Sequence, residues 1–468
     1  MRDFATSDSP AVQTQLERLG GLSLPSGRFG LATIREILAR LGDPQLHLPP
    51  IFHVAGTNGK GSTCAYLRAM LEAQGLSVHA ATKPHLVRYN ERIRIAGKLI
   101  EDDLLAALLK EVLDQSEDLS PSFFEVTTAA TFLAFAQFPA DACVIEVGLG
   151  GRFDATNVLD QPAACGIATL GIDHEAFLLV PEEGVPPEPL CRIAFEKASI
   201  ARPGVPLVTQ AYPLAVAKTV IETAMQIGAR PAMRGLDWWA EVSGDGIAYR
   251  DRLGELSLPL PALAGTHQAD NAALAVAMVR HQSLVEVSPE AMAAGIRAAK
   301  WPARLQLLGD GPLTALAPGR KIWLDGGHNP DAGLAIARFF FGGANVARVL
   351  RQAQYERTLD EALTPAHPEP VEGRAQHIHL IIGMLSAKNP AAIIAPLRGK
   401  LLSLSVVPAP GHEAHAPKAF AAHSDLAVRS FGSVPEALSA LPPGGDVLIA
   451  GSLYLAGEVL RLNRELPD

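Results

Sequence analysis

The chain has 468 residues, too many for one ordinary hydrophobic core, so two well-buried domains are expected. Hydrophobic residues make up 48% and charged residues 19%, which excludes a disordered or fibrous chain. The net charge of −9, from 40 basic and 49 acidic side chains, provides no global basic field. Neither nucleic acid nor a membrane is therefore expected as a partner, and any anionic ligand must be held locally. Cys64, Cys143, Cys165 and Cys191 show no C-x-x-C spacing and read as reduced, buried thiols. The first residues, MRDFATSDSPAVQTQ, lack the apolar core of a signal peptide, and the apolar stretch from Val126 to Leu149 is interrupted by Gln137, Pro139 and Asp141. Cytoplasmic residence is expected.

Apolar, β-branched runs at Ile51–Ala55, Ser77–Thr82, Cys143–Val147, Gly166–Leu170 and Val205–Thr209 read as strands, separated by segments of helical periodicity. That alternation predicts an α/β fold with a parallel, doubly wound sheet. Between Trp238 and Leu263 the pattern changes to short alternating pieces, an antiparallel hairpin excursion. Helices follow at Thr266–Gln282 and Pro289–Ala299. After Gly309-Asp310-Gly311-Pro312 a second series begins, with strands at Lys321–Leu324, His379–Gly383, Leu402–Val407 and Asp446–Ala450. The boundary falls near 300–312, giving domains 1–305 and 306–468. The proline- and charge-rich stretch 344–376 reads as an exposed insertion.

The run His53-Val54-Ala55-Gly56-Thr57-Asn58-Gly59-Lys60-Gly61-Ser62-Thr63 joins a strand end, a glycine turn, a lysine and two hydroxyls. Glycine-freed N–H groups and a helix N-terminus can wrap a polyphosphate, Lys60 adds a point charge, and Ser62 or Thr63 can hold Mg²⁺. The spacing departs from G-x-x-x-x-G-K-[ST], because only two residues separate Gly56 from Gly59 and Gly61 follows the lysine. Glu146 ends the Cys143 strand and precedes a glycine-rich run, where a carboxylate can face a metal opposite the phosphates. A turn or cap carboxylate is the alternative. His174, after Gly171-Ile172-Asp173, comes from the next strand end, so Ser62, Glu146 and His174 form a donor set suited to a divalent cation. A satisfied structural histidine is the competing reading. Lys197, within Phe195-Glu196-Lys197-Ala198, reads by spacing alone as a solvated lysine on a helix face.

Taken together, HVAGTNGKGST, PHLVRYNERIRIAG at 84–97, VIEVGLGGRFDATN at 144–157, GIDH at 171–174, FEKA at 195–198, LAGTHQADNAALA at 263–275, LDGGHNP at 324–330 and GSLYLAGEV at 451–459 resemble the folylpolyglutamate synthase/dihydrofolate synthase family of the Mur ligase superfamily. The resemblance spans nearly the whole chain. It implies a P-loop-containing N-terminal domain of Mur-ligase type and a smaller, Rossmann-like C-terminal domain. It also implies an ATP-dependent ligase adding L-glutamate to dihydropteroate and to tetrahydrofolate through an acyl phosphate. A monofunctional folylpolyglutamate synthase, another Mur-type ligase and a non-catalytic nucleotide-binding module remain alternatives.

Residue by residue, the resemblance makes Gly56, Thr57, Asn58, Gly59, Lys60, Gly61, Ser62 and Thr63 the phosphate cradle. It makes Ser62, Glu146, His174 and Lys197 ligands of two Mg²⁺ ions, with Lys197 carbamylated. Lys60, His174 and Lys197 become the catalytic set. Asn271 and Arg304 resemble ATP-phosphate contacts, while Asp325 and His328 resemble nucleotide or glutamate contacts offered by the second domain. Pro84, His85, Leu86, Arg88, Phe124, Arg152 and Asp154 are implied on the pterin and substrate side; for the aromatics, plain core packing is the alternative. A monomer taking only small-molecule substrates is expected. Four departures from the family pattern stand out: Lys83 replaces the usual serine before Pro-His-Leu, Ala303 replaces a customary glycine, the stretch from His174 to Lys197 is longer than usual, and Ser386-Ala387-Lys388-Asn389 lacks the usual acidic neighbours.

Overall fold

The computed structural model describes residues 7–22, 30–342 and 377–467. The 344–376 stretch therefore lies outside the described residues. The chain divides into two compact units, Met1–Ala262 with Ala269–Lys300, and Leu263–Gln268 with Trp301–Pro467. Among the described residues no helix is long and apolar enough to cross a membrane.

The first unit is built on an eight-stranded sheet. Its strands are β1 (Ile51–Ala55), β2 (Val78–Ala81), β3 (Ile93–Ile95), β4 (Lys98–Leu99), β5 (Ala142–Glu146), β6 (Ala164–Ile167), β7 (Pro206–Thr209) and β8 (Arg230–Met233), in the order β4-β3-β2-β5-β1-β6-β7-β8. Among the described strands β3 pairs antiparallel with β2 and β4 antiparallel with β3, and the other pairings in this sheet are parallel. Every residue of β1 and β5 is buried, as expected for strands covered on both faces, and this is why they read as unbroken apolar runs. The chain crosses from β1 to one side of the sheet, through β2 and β5, and then to the other side through β6, β7 and β8. The carboxyl ends of β1, β5 and β6 therefore meet where the winding reverses, the position at which open α/β sheets bind ligands.

Helices cover the sheet. α1 (Pro10–Gly20), α2 (Ala32–Arg40), α4 (Asp102–Ser116) and α5 (Phe123–Gln137) share one core with Ile51, Ile145, Phe132 and Phe135. α7 (Pro189–Ala198) and α8 (Leu214–Ile227) share another with Ile167, Ile193 and Leu207, while α6 is the single turn Glu175–Leu178. α3 (Lys60–Ala73) follows β1 directly and packs against α10 (Pro289–Ala298). α9 (His267–Arg280) lies so close to β6 that a Cβ on Gly166 would stand 2.2 Å from Met278 Sδ. That close approach explains the shift in β6: Gly166, taken from sequence as the strand's start, sits inside it, and Ala168–Leu170 continue beyond its end.

The expected hairpin excursion is a three-stranded antiparallel sheet, β9 (Trp238–Ser243), β10 (Gly246–Asp251) and β11 (Gly254–Leu258). Asp251 clamps it to α9, accepting from Arg280 Nη2 at 2.6 Å and Nε at 2.7 Å, from Leu253 N at 2.8 Å and from the Tyr249 hydroxyl at 3.1 Å.

The second unit holds a six-stranded sheet, β12 (Gln306–Leu307), β13 (Ile322–Leu324), β14 (Ile378–Ile382), β15 (Leu401–Val406), β16 (Val428–Ser430) and β17 (Asp446–Ala450), ordered β12-β13-β17-β14-β15-β16. All strands are parallel except β12. α11 (Pro330–Phe341) and the helix Ala391–Leu397 close its core with Phe340, Leu380, Ile382, Ile393, Leu404 and Leu448.

Burial alone would raise the Asp251 carboxyl, but its hydrogen bonds from Arg280 and Leu253 outweigh burial and hold it below the usual carboxylate range. A depressed folded-state pKa stabilises above the unfolded value and loses that contribution as pH falls through the folded one. Asp251→Asn is therefore expected to cost roughly 3 kcal/mol, the scale of a broken buried pair. It should also flatten the acid limb of stability against pH, as read by urea unfolding at several pH values.

Candidate active site

The glycine loop is held from β6. Thr57 and Asn58 donate their N–H groups to Thr169 O at 2.8 and 3.3 Å. The Thr57 hydroxyl donates to Gly171 O at 2.8 Å and accepts from Gly171 N at 3.1 Å. Gly59 has φ +83°, and a Cβ there would stand 2.3 Å from Asn271 Oδ1 on α9, so both conformation and space demand glycine. Asn271, expected as a phosphate contact, is thus placed directly against the loop. Lys60 opens α3, and its ammonium folds back to Gly56 O at 3.0 Å and Thr57 O at 3.3 Å. The 14-residue helix adds its positive end and its unpaired first-turn N–H groups. Ser62 and Thr63, in that first turn, are buried, and Thr63 Oγ1 has no hydrogen-bond partner.

Glu146 ends β5 and is only 4% exposed. Its Oε2 accepts from Lys83 N at 3.1 Å, which ties the segment after β2 to the end of β5. Asp154 lies beneath the following glycine-rich run. Its Oδ2 accepts from Gly148 N (3.0 Å) and Leu149 N (2.9 Å), and its Oδ1 from Thr156 N (3.0 Å) and Thr156 Oγ1 (2.6 Å). Burial alone would raise this carboxyl, but the Lys83 charge and these donors bring it below the ordinary range. Thr156 Oγ1 also meets His53 Nε2 at 2.8 Å, and burial pushes that imidazole down to about 3, so it stays neutral. Burial likewise lowers Lys83, with Asp154 opposing the shift.

His174 has φ +53° at the start of α6, and its Nε2 stands 3.9 Å from Asp173 Oδ2. Lys197, on α7, is 5% exposed and donates to Gly150 O at 3.4 Å. The solvated-face reading of Lys197 is therefore corrected. Burial, reinforced by the charge of Lys60, pulls its pKa down to about 7, against the attraction of Asp173, Asp154 and Glu196. These neighbours place Lys197, Lys60, Asp154 and Asp173 in one electrostatic neighbourhood.

Arg152 sits in an ion network. Its Nη2 lies 2.6 Å from Glu182 Oε2 and 2.9 Å from Glu196 Oε1, and Arg192 Nη2 lies 3.0 Å from each of the same carboxylates. Glu182 belongs to the long stretch between His174 and Lys197, read from sequence as a surface insertion. The pairs fasten that stretch to α7 beside Lys197. Nothing in the local spacing of Glu182 or Arg192 signals these contacts, which are made across the fold.

On the implied pterin side, the segment Pro84–Arg92 is stapled by Glu91, which accepts N–H groups from Leu86 (2.7 Å), Val87 (2.9 Å) and Arg88 (2.6 Å). His85 is buried and its Nδ1 accepts from Arg92 Nε at 2.9 Å. The Arg92 guanidinium lies over the Tyr89 and Phe123 rings at 5.1 and 5.5 Å. Phe123 packs on the core, whereas Phe124 is half-buried with its ring edge-on to Phe123. Pro84 and Leu86 are partly exposed and Arg88 is exposed.

In the second unit, Asp325 joins two backbone segments by accepting from Leu305 N at 2.8 Å and Gly327 N at 2.7 Å. His328 Nδ1 faces Gly326 O at 3.1 Å, and Arg304 Nη1 donates to Ala303 O at 2.9 Å. Ala303 has φ +56°, a left-handed conformation that glycine would adopt without strain. Among the described residues no group of three or more His, Cys, Asp and Glu side chains is arranged to hold a metal ion. The expected set relies instead on one carboxylate and one imidazole, with a serine hydroxyl and a lysine.

A parallel sheet with a glycine loop, lysine and helix N-terminus at its reversal point defines a protein that grips nucleotide phosphates. The comparisons narrow this class. The chain is 34% identical to the dihydrofolate synthase/folylpolyglutamate synthase of Bacillus subtilis, over 72% of this chain and 79% of that protein. It superposes on Escherichia coli FolC in complex with DHPP and ADP with a TM-score of 0.76, at 28% identity over 97% of both chains. It superposes equally on the Yersinia pestis bifunctional folylpolyglutamate synthase/dihydrofolate synthase complexed with AMPPNP and Mn ion, with a TM-score of 0.76 at 27% identity over 98% of this chain and 99% of that one. No protein-family model matches the chain. The chain belongs to the dihydrofolate synthase/folylpolyglutamate synthase family.

Gly59→Ala is expected to destabilise the protein by about 1–2 kcal/mol from its left-handed conformation alone, with a further loss from displacing Asn271. Adding Asn271→Ala should recover only the second part. Thermal unfolding of the two single variants and the double variant measures the coupling, and strict additivity would show that the loop does not press on Asn271.

Proposed function

We propose that this chain is an ATP-dependent ligase that joins L-glutamate to dihydropteroate and to tetrahydrofolate. The observation that carries the reading is the glycine loop at the carboxyl end of β1, where the winding of the sheet reverses, with Lys60 opening α3 and folded back onto Gly56 O. The reaction must bring a carboxylate and a polyphosphate, both anions, into contact, so neutralising and positioning charge supply most of the catalysis. An acceptor carboxylate oxygen attacks the γ-phosphorus, the bond to the β-phosphate oxygen breaks, and ADP leaves behind an acyl phosphate. The glutamate amine then adds to the acyl carbonyl, the tetrahedral intermediate loses a proton, and phosphate departs as the amide forms.

In this reading the N–H groups of residues 56–63 wrap the phosphates and Lys60 exchanges its loop carbonyls for phosphate oxygens. Asn271, Arg304, Asp325 and His328 contact nucleotide or glutamate. Pro84, His85, Leu86, Arg88 and Phe124 line the pterin side. Arg152 and Asp154, already engaged by their own partners, act on substrate by holding α7 and the Gly148–Gly151 run in place.

Ser62, Glu146, His174 and Lys197 would hold divalent cations. The donors fit: a buried hydroxyl, a carboxylate at a strand end and an imidazole suit a hard cation that keeps phosphate oxygens. When bound, the cation supplies further neutralisation of phosphate charge. The low pKa of Lys197 suits carbamylation, in which the neutral amine adds to carbon dioxide and releases one proton, leaving an anionic carbamate.

Supplying dihydropteroate or tetrahydrofolate with L-glutamate and ATP should give ADP, phosphate and amide in equal amounts; ATP turnover without amide would refute the ligase. Glutamate addition to tetrahydrofolate alone would mark a monofunctional enzyme. Lys60→Ala should lower kcat by at least about a hundredfold, the scale of losing one preorganised charge contact. Lys197→Arg should also abolish most activity. With ¹³C-labelled bicarbonate, wild type should show a carbamate resonance that grows from pH 6 to 8, as Lys197 passes through about 7 and becomes neutral, and the variant should show none.

A further inference from the structure

This chain carries Lys83 directly ahead of Pro84-His85-Leu86, and its ammonium is enclosed by the fold. Residue 83 is anchored at Glu146 by its own backbone N–H, 3.1 Å from Oε2. Its Nζ is sealed from solvent and makes no hydrogen bond. A Cβ built on Gly148 would stand 3.2 Å from Lys83 Cδ, 3.5 Å from Lys83 Nζ and 3.2 Å from Asp154 Oδ2, so the ammonium lies across the Gly148 backbone beside the Asp154 carboxylate. Asp154 already accepts from Gly148, Leu149 and Thr156. It offers Lys83 negative charge without a bond.

A buried ammonium is tolerated only where opposite charge surrounds it. The two carboxylates at this strand end, Glu146 and Asp154, supply it. A divalent cation approaching Glu146 meets the same two carboxylates and is repelled by the ammonium that already neutralises them. We propose that Lys83 is a built-in counter-ion that competes with divalent metal for Glu146, so that this chain binds metal at that carboxylate more weakly than a chain with serine at this position. The inference rests on the reading of Glu146 as a metal ligand. It makes Lys83 a residue that sets metal affinity rather than one that touches the reacting atoms.

The test is direct Mn²⁺ binding, followed by electron paramagnetic resonance on the full chain with and without AMPPNP, with no turnover required. Lys83→Ser and Lys83→Met both remove the charge, and methionine preserves most of the packing, so misfolding of one variant leaves the other to report. Each should bind Mn²⁺ about tenfold more tightly than wild type, the scale on which one neighbouring charge shifts an ionisation. Lys83→Arg should bind as wild type does, and Glu146→Gln introduced into Lys83→Met should erase the gain. Equal affinity in wild type and Lys83→Met, or a gain that survives Glu146→Gln, overturns the proposal. Failure of the ligase reading would appear elsewhere, as absence of amide product in wild type, and leaves this binding comparison interpretable.

Discussion

The carboxylate of Asp154 is the constraint on which the site depends. It gathers the N–H groups of Gly148, Leu149 and Thr156 and so fixes the run that follows β5. That run supplies Gly150 O to Lys197 and passes under Lys83, and through Thr156 it meets His53 in the middle of β1. A single buried anion thus sets the geometry of two buried lysines and a neutral histidine. Because hydrogen bonds to an ion are strong and an unpaired buried charge is costly, this arrangement is held as a unit.

Charge around the loop is balanced over short distances. Burial lowers Lys197 most and the charge of Lys60 adds to it, while Asp173, Asp154 and Glu196 pull the other way, and the outcome is a lysine poised near neutrality. Arg152 and Arg192 share Glu182 and Glu196, so neither glutamate stands as a lone buried charge. In the second unit strain replaces charge. Ala303 and Leu305 both take positive φ on either side of Arg304, and Asp325 clamps the second of them by accepting its N–H. Strained backbone held by a buried carboxylate directs the intervening arginine.

Much of this was legible in the sequence because its signals are local. β1 and β17 fall at the residues expected, since each is a short apolar run bounded by glycine. Glu146 announced itself as a carboxylate closing an otherwise apolar strand, and the glycine loop as a turn between strand and helix. What escaped is non-local. Gly166 looked like a strand boundary because its reason for being glycine, Met278 of α9, lies far along the chain. The spacing around Lys197 suggested a solvated face, since burial there comes from segments distant in sequence. Lys83 showed only as a departure from pattern, and its enclosure beside Asp154 required the fold.

The four-membered network of Arg152, Glu182, Arg192 and Glu196 has a consequence for how the chain can vary. The stretch between His174 and Lys197 reads in the sequence as a surface insertion, yet Glu182 makes it part of the scaffold around α7. Trimming it to a shorter connection would remove one carboxylate from two arginines and leave Glu196 to satisfy both. Its length can therefore change only together with the charges it meets, as with a strap whose buckle is riveted to the frame.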